Sequence, residues 1–158
     1  MKYLLALMML LATPAWAITA NAPIEIDADQ LVVERTDGSA EFSGNVRVVQ
    51  GDMRLASDRL TVQYDEAQKD NQDGGVTEIK AKGKVTIVYG ADTATGNEAI
   101  YDVPAKKVRL NGNVTLVRGE NVLRGDGLVF DLVTGNASLT ASSKQRVRAR
   151  FSPEKKAE

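Results

Sequence analysis

Gly44-Asn45-Val46-Arg47-Val48 is the stretch that decides the fold, because its pattern returns at Gly83-Lys84-Val85-Thr86-Ile87 and again at Gly112-Asn113-Val114-Thr115-Leu116. A second glycine follows each stretch at the same distance, at Gly51, Gly90 and Gly119. Each copy then carries a polar corner, at Asp58, Asn97 and Asp126, and a partial fourth copy near the start has Asp29 in that position. Such self-similarity predicts a chain built from repeats of one structural unit.

Each unit has the pattern of β-strands. Apolar and polar residues alternate, as they do from Val46 to Val48 and from Leu60 to Val62. Thr36-Asp37-Gly38-Ser39 and Thr134-Gly135-Asn136 have the composition of hairpin turns. The polar stretch 66–75 lengthens one repeat and is predicted to be an inserted surface loop. Because nothing after residue 17 has sustained helical periodicity, we predict an all-β sandwich, barrel or solenoid-like stack.

The composition excludes several classes of function. The 158 residues contain no Cys and no His, so disulfides, zinc fingers, thiol nucleophiles and Ser-His-Asp triads are absent. The net charge of −1 and the 5% aromatic content do not fit a nucleic-acid-binding surface. Carboxylates recur at Asp29, Asp58 and Asp126, which permits glycoside hydrolysis or a calcium site in principle. Their recurrence at matching corners favours a turn role instead. We therefore predict a protein that is not an enzyme and that uses no metal or cofactor.

The N-terminal 17 residues are predicted to be a cleavable signal peptide. Lys2 precedes an apolar run, and Ala15-Trp16-Ala17 has the small-x-small pattern of a cleavage site after Ala17. An N-terminal membrane anchor is the alternative, but the apolar run is about half of the roughly 20 residues needed to span a bilayer. An exported chain without disulfides is typical of the bacterial periplasm. Acidic residues dominate 18–75 and basic residues dominate 76–158, which predicts an acidic and a basic end if these halves separate in space.

The predicted inward-facing residues are almost all aliphatic. They form either an ordinary filled core or the lining of a cleft that accepts acyl chains, since burial of each CH₂ is worth about 0.8 kcal/mol. Periodicity does not separate these two readings. The candidate lining residues are Ile24, Ile26, Leu31, Val33, Phe42, Val46, Val48, Leu60, Val62, Val85, Ile87, Val114, Leu116 and Phe130.

Several motifs together resemble a known family. They are Pro23-Ile24-Glu25-Ile26-Asp27-Ala28-Asp29, Phe42-Ser43-Gly44-Asn45-Val46, Leu55-Ala56-Ser57-Asp58, Leu110-Asn111-Gly112-Asn113-Val114 and Leu123-Arg124-Gly125-Asp126. In this order they are similar to the OstA-like domain of the LptA family of lipopolysaccharide export proteins. The resemblance implies a repetitive, twisted antiparallel β-jelly-roll over residues 18–142. It would be partly open, like a taco, with an aliphatic groove between two sheets, and a basic and polar C-terminal tail would follow at 143–158.

The resemblance also implies a function. Family members carry lipopolysaccharide from the inner to the outer membrane, hold its acyl chains between the sheets and stack head to tail. The implied partners are lipopolysaccharide, further copies of the chain, an LptC-like inner-membrane protein and an LptD-like outer-membrane protein. Family lipid contacts correspond to Ile24 and Ile26, and less directly to Ile87. The alternative function is a structural β-repeat adaptor that joins envelope proteins by edge-strand pairing without binding lipid.

Arginines supply candidate contacts to the lipid phosphates. Arg is suited to phosphate because its guanidinium makes two parallel hydrogen bonds. We expect the candidate residues near the rim of the groove, and ordinary exposed arginine is the competing interpretation of each. They are Arg47, Arg54, Arg118 and Arg124.

Overall fold

The computed structural model describes residues 22–70 and 74–153. Within them lie ten strands and one short 3₁₀ turn, Glu66–Gln68. The strands are β1 (Glu25–Asp27), β2 (Gln30–Glu34), β3 (Ser39–Gln50), β4 (Met53–Tyr64), β5 (Val76–Tyr89), β6 (Asp92–Asp102), β7 (Lys107–Arg118), β8 (Asn121–Asp131), β9 (Ala137–Thr140) and β10 (Arg148–Arg150). The predicted all-β fold is confirmed. The predicted signal peptide, residues 1–17, lies outside the described residues.

All ten strands belong to one antiparallel sheet that does not close. Its order is β1-β3-β4-β5-β6-β7-β8-β10, while β2 pairs with β3 and β9 pairs with β8. From β2 to β9 each strand therefore pairs with the next one along the chain, as expected from repeats joined by short hairpins, whereas β1 pairs with β3 and β10 pairs with β8. One edge consists of β1 and β2, and the other consists of β9 and β10.

The long strands bend in the middle. The register shifts at a β-bulge between Ser43 and Val46, and equivalent shifts interrupt each later strand pair up to β7–β8. At the first bulge Gly44 has a φ of 78° and Asn45 a φ of 46°, and this pair of left-handed residues bends the strand. The repeated Gly-Asn and Gly-Lys pairs are thus the bends of the fold.

The polar corners lie against these bends. Asp29 accepts a hydrogen bond from Asn45 Nδ2 at 2.9 Å, and its backbone N–H donates to the Gly44 carbonyl at 3.0 Å. A Cβ on Gly83 would lie 2.5 Å from Asp58 Oδ2, so this position requires glycine. Asp126 Oδ2 instead accepts from the backbone N–H of Ser142 at 2.8 Å. The corner residues therefore have the structural role that their repetition predicts.

The bends divide the sheet into two leaves that face each other. Leaf 1 contains β2, β9 and the strand halves paired with them, including residues 59–63 and 107–111. Leaf 2 contains β1, β10 and the halves that include residues 46–50 and 114–118. The hairpins with Gly51, Gly90 and Gly119 lie at the free end of leaf 2. The core lies between the leaves.

One strand lies inside the range predicted to be a tail. Arg148, Ala149 and Arg150 form β10, which pairs with Arg124, Leu123 and Val122 of β8. The sheet therefore extends beyond residue 142. Its signal in the sequence is weak, because Val147 and Ala149 are the only apolar residues between four charged or polar neighbours, and the free edge of β8 supplies the hydrogen bonds.

Candidate functional site

Continuous rows of apolar side chains line the space between the leaves. Directly paired residues share a face of the sheet, so the register identifies each row. One row of leaf 1 contains Leu31, Phe42, Leu60, Ala81, Ala99, Leu110, Leu128 and Leu139. The facing row of leaf 2 contains Ile26, Val48, Leu55, Ile87, Ala94, Leu116, Leu123 and Ala149. The interior is therefore apolar from one edge of the sheet to the other.

Most predicted lining residues come together in this interior. The buried ones are Val46, Val48, Leu60, Val62, Val85, Ile87 and Val114. Those that are half-buried against the core are Ile24, Ile26, Phe42, Leu116 and Phe130. Tyr89 of leaf 2 meets Phe130 of leaf 1 edge to face, with ring centroids 5.6 Å apart.

Leu31 and Val33 differ from the expectation of a buried lining. Register places them on the inner face, opposite Phe42 and Ala40, yet they are 52% and 55% exposed. Their strand, β2, pairs only with β3 among the described strands, so its other side has no covering neighbour. The apolar interior therefore opens to solvent at the β1/β2 edge.

The centre of the interior is filled. One cavity between the leaves, beside Met53, Ile87 and Leu110, has a volume of about 30 Å³, and a second beside Leu55 and Tyr101 has about 10 Å³. One water needs about 10 to 15 Å³ of such space, so the larger cavity has room for only two or three waters. An acyl chain therefore needs either the exposed edge or a separation of the leaves.

Sequence reasoning missed two residues that close the mouth opposite the bends. Val103 and Leu132 are 0% and 4% exposed and belong to the hairpins that follow β6 and β8. Each follows a carboxylate whose oxygen accepts backbone hydrogen bonds within its hairpin, Asp102 from Ala105 and Asp131 from Val133. The sequence signal for these two residues is an apolar residue directly after a carboxylate at the end of a strand. In the β2–β3 hairpin the residue at this position is Arg35, which is exposed.

An ion pair lies beside this mouth. Asp92 and Arg118 are directly paired in register, and the guanidinium donates to both carboxylate oxygens at 2.5 Å. The hydrogen bond to Asp92 raises the pKa of Arg118 above its ordinary value. Arg118 is therefore already engaged by a carboxylate where it borders the apolar interior.

The other arginines predicted at the rim lie elsewhere. Arg47 and Arg54 are exposed and alternate with buried neighbours, which places them on the outer face of leaf 2. Arg124 is exposed and paired with Thr115 and Arg148, on that same outer face. The expectation of a rim position is wrong for these three. Successive side chains of a strand point to opposite faces, so these arginines of leaf 2 lie away from the groove.

Charged residues of opposite sign lie at the two edges of the sheet. Glu25, Asp27 and Glu34 belong to β1 and β2, whereas Arg148 and Arg150 belong to β10. Among the described residues no cluster of His, Cys, Asp and Glu is arranged to hold a metal ion. In the same part of the chain, no helix has the length and apolar character required to cross a membrane.

Comparisons with known proteins point to one family. Residues 25–147 match the family model described as LptA/(LptD N-terminal domain) LPS transport protein. An uncharacterized protein of Rhizobium meliloti (strain 1021) is 32% identical over 95 residues, which cover 59% of this chain and 51% of that protein. The chain thus spans about half the length of this curated relative.

A solved structure has the same fold. It is LptH of Pseudomonas aeruginosa, described as the LptA-homologous periplasmic component of the lipopolysaccharide transport device. The TM-score is 0.73 at 19% identity, and the match covers 85% of this chain and 99% of that chain.

Proposed function

The chain belongs to the LptA/(LptD N-terminal domain) family of LPS transport proteins, and from that membership we propose that it is a periplasmic, non-enzymatic carrier of lipopolysaccharide. The acyl chains would lie between the two leaves, shielded from water, while the sugar portion remains outside. The observation that carries this proposal is the apolar interior that reaches solvent at Leu31 and Val33. The carrier itself uses no cofactor, so energy for directional transport comes from elsewhere.

Entry of the lipid starts at the exposed edge. Leu31 and Val33 already present apolar surface to water, so an acyl chain gains about 0.8 kcal/mol for each CH₂ that it buries there. Further entry requires the leaves to separate, because the cavity beside Ile87 holds only about 30 Å³. The bends are suited to this motion because the ladder is interrupted there.

Methyl NMR tests where the lipid lies. The inner-face methyl groups of Ile26, Ile87 and Leu116 are expected to shift on addition of lipopolysaccharide. Val32 and Val129, which are 43% and 39% exposed on the outer face, are the matched controls and are expected to keep their shifts. Shifts confined to the controls would contradict binding between the leaves.

We further propose head-to-tail assembly through the two edges. Strand direction alternates across the sheet, so β1 of a second copy would run antiparallel to β10, and its β2 antiparallel to β9. If the inner rows continue, Ile26 of the second copy follows Ala149, and Leu31 follows Leu139. The joint would cover the exposed β2 side chains and join the two interiors into one groove.

The outer row of the joint is complementary in charge. In the same register Asp27 of the second copy follows Arg148, and its Glu25 follows Arg150. Opposite charges directly across an antiparallel pair contribute about 0.2 to 1 kcal/mol each. Such unlike ends produce an open filament rather than a closed ring. By the same edges the chain would meet an LptC-like partner at the inner membrane and an LptD-like partner at the outer membrane.

A structural adaptor is the second candidate, favoured by the filled centre of the interior. An adaptor would use the free edges β1/β2 and β9/β10 without lipid. It predicts concentration-dependent assembly together with unchanged Ile26 and Ile87 methyl shifts in lipopolysaccharide. The carrier predicts that both respond.

A further inference from the structure

A polar cleft lies on the side of the sheet away from the candidate groove. It has a volume of about 1020 Å³ and is bounded by Asn113 and Thr115 of β7, Arg124 and Asp126 of β8, and the segment 144–148 that leads into β10. Cavities that hold small ligands measure about 300 to 1,000 Å³. The cleft is therefore large enough for a small polar ligand.

Its charge is strongly positive. Four cations line it, Arg124, Lys144, Arg146 and Arg148, against the single carboxylate of Asp126. Among the described residues none of these four cations takes part in an ion pair. Asp126 already accepts a hydrogen bond from the backbone of Ser142 at 2.8 Å, at the start of the segment that closes the cleft. The cations therefore face one another with little compensation.

The pairing of β8 with β10 brings two of these cations together. Arg124 and Arg148 are directly opposite each other in the β8–β10 pair. Like charges in this position destabilise a sheet, whereas an anion between them removes the repulsion. Arg guanidinium groups bind phosphate through two parallel hydrogen bonds, and Lys adds a point charge. Asn113 and Thr115 supply neutral hydrogen-bonding groups at the same wall.

We propose that this cleft is a binding site for a phosphate-bearing anion. The phosphate is either free in solution or carried on the headgroup of a glycolipid. The site lies apart from the apolar interior, so it does not rest on binding of acyl chains. Arg148 would contact the anion on its β8 side and leave its other side to the proposed joint between copies.

The test is a titration of the full chain with pyrophosphate, followed by backbone amide NMR. Saturable shifts are expected at Thr115, Gly125 and Gln145, with acetate at equal ionic strength as the reference. The double variant R124Q/R146Q is expected to bind about tenfold more weakly, because charged hydrogen bonds are lost. The matched control is R47Q/R54Q, which removes the same charge from the outer face of the same leaf and should bind as the native chain does.

Lipopolysaccharide provides the second arm of the titration. Saturation by pyrophosphate supports a site for free phosphate. Saturation by lipopolysaccharide alone, weakened in R124Q/R146Q and not in R47Q/R54Q, supports a headgroup site. The proposal is overturned if neither ligand produces saturable cleft shifts, or if both double variants weaken binding equally. Failure of the acyl-chain proposal would appear separately, in the Ile26 and Ile87 methyl signals.

Discussion

Leu60 and Leu31 offer a direct test of the open edge, because they lie in one inner row with opposite environments. Leu60 is 0% exposed and Leu31 is 52% exposed. Leu60→Ala should lower the free energy of unfolding by about 2 to 5 kcal/mol, through lost burial and the cavity that remains. Full burial of a leucine is worth about 1.5 to 3 kcal/mol, so Leu31→Ala, half in water and retaining one methyl, should cost about 0.5 kcal/mol.

The assay is urea unfolding followed by circular dichroism, at two protein concentrations because assembly stabilises by mass action. With a slope of about 1 to 3 kcal/mol/M, Leu60→Ala should lower the midpoint by about 0.7 to 5 M and leave the slope unchanged. The midpoint of Leu31→Ala should fall by only about 0.2 to 0.5 M at low concentration, and by more where copies associate. Equal losses for both variants at low concentration would refute the open edge.

The remaining predictions concern the bends, the mouth and the joint. Gly83→Ala should cost about 2 to 3 kcal/mol in urea unfolding, from positive φ and contact with the facing corner carboxylate. Gly119→Ala, with the same sign of φ and open space, should cost about 1 kcal/mol, and equal costs would contradict the bend contact. The backbone N–H groups of Thr134 and Val133 donate hydrogen bonds to Asp131 and lower its pKa below the ordinary 3.8. The stabilisation that ionised Asp131 contributes is therefore fully present above its ordinary pKa and is lost as the pH falls through its pKa in the folded chain. Asp131→Asn should make the decline of Tm below pH 4 less steep, and an unchanged decline would argue against this role of Asp131. Asp27→Arg or Arg148→Asp alone should weaken self-association in sedimentation and the two mixed together should restore it, whereas no recovery would refute the proposed register.

Much of the fold was predictable because the repeat is explicit in the residues. Gly44, Gly83 and Gly112 require left-handed backbone, and this requirement fixes where the strands bend. Gly51, Gly90 and Gly119 likewise identify the hairpins of leaf 2. These features are local, so composition and spacing carry them.

The exposure of individual residues was not predictable in this way. Alternation places Leu31 and Val33 on the inner face, but only the sheet order shows that no described strand pairs with β2 on the side away from β3. Arg47 and Arg54 face away from the groove because successive side chains of a strand point to opposite faces. Strand β10 depends on pairing with β8, a contact between distant parts of the chain that propensity does not encode.

Site-specific photo-crosslinking from β2 tests the central claim most directly. Leu31 and Val33 face the interior and Val32 between them faces outward, and all three are exposed, at 52%, 55% and 43%. Accessibility is thus matched and only the face differs. With a photoreactive residue at each position in turn, lipopolysaccharide should label positions 31 and 33 and leave position 32 unlabelled. Equal labelling at all three, or labelling at position 32 alone, would contradict a lipid groove between the leaves.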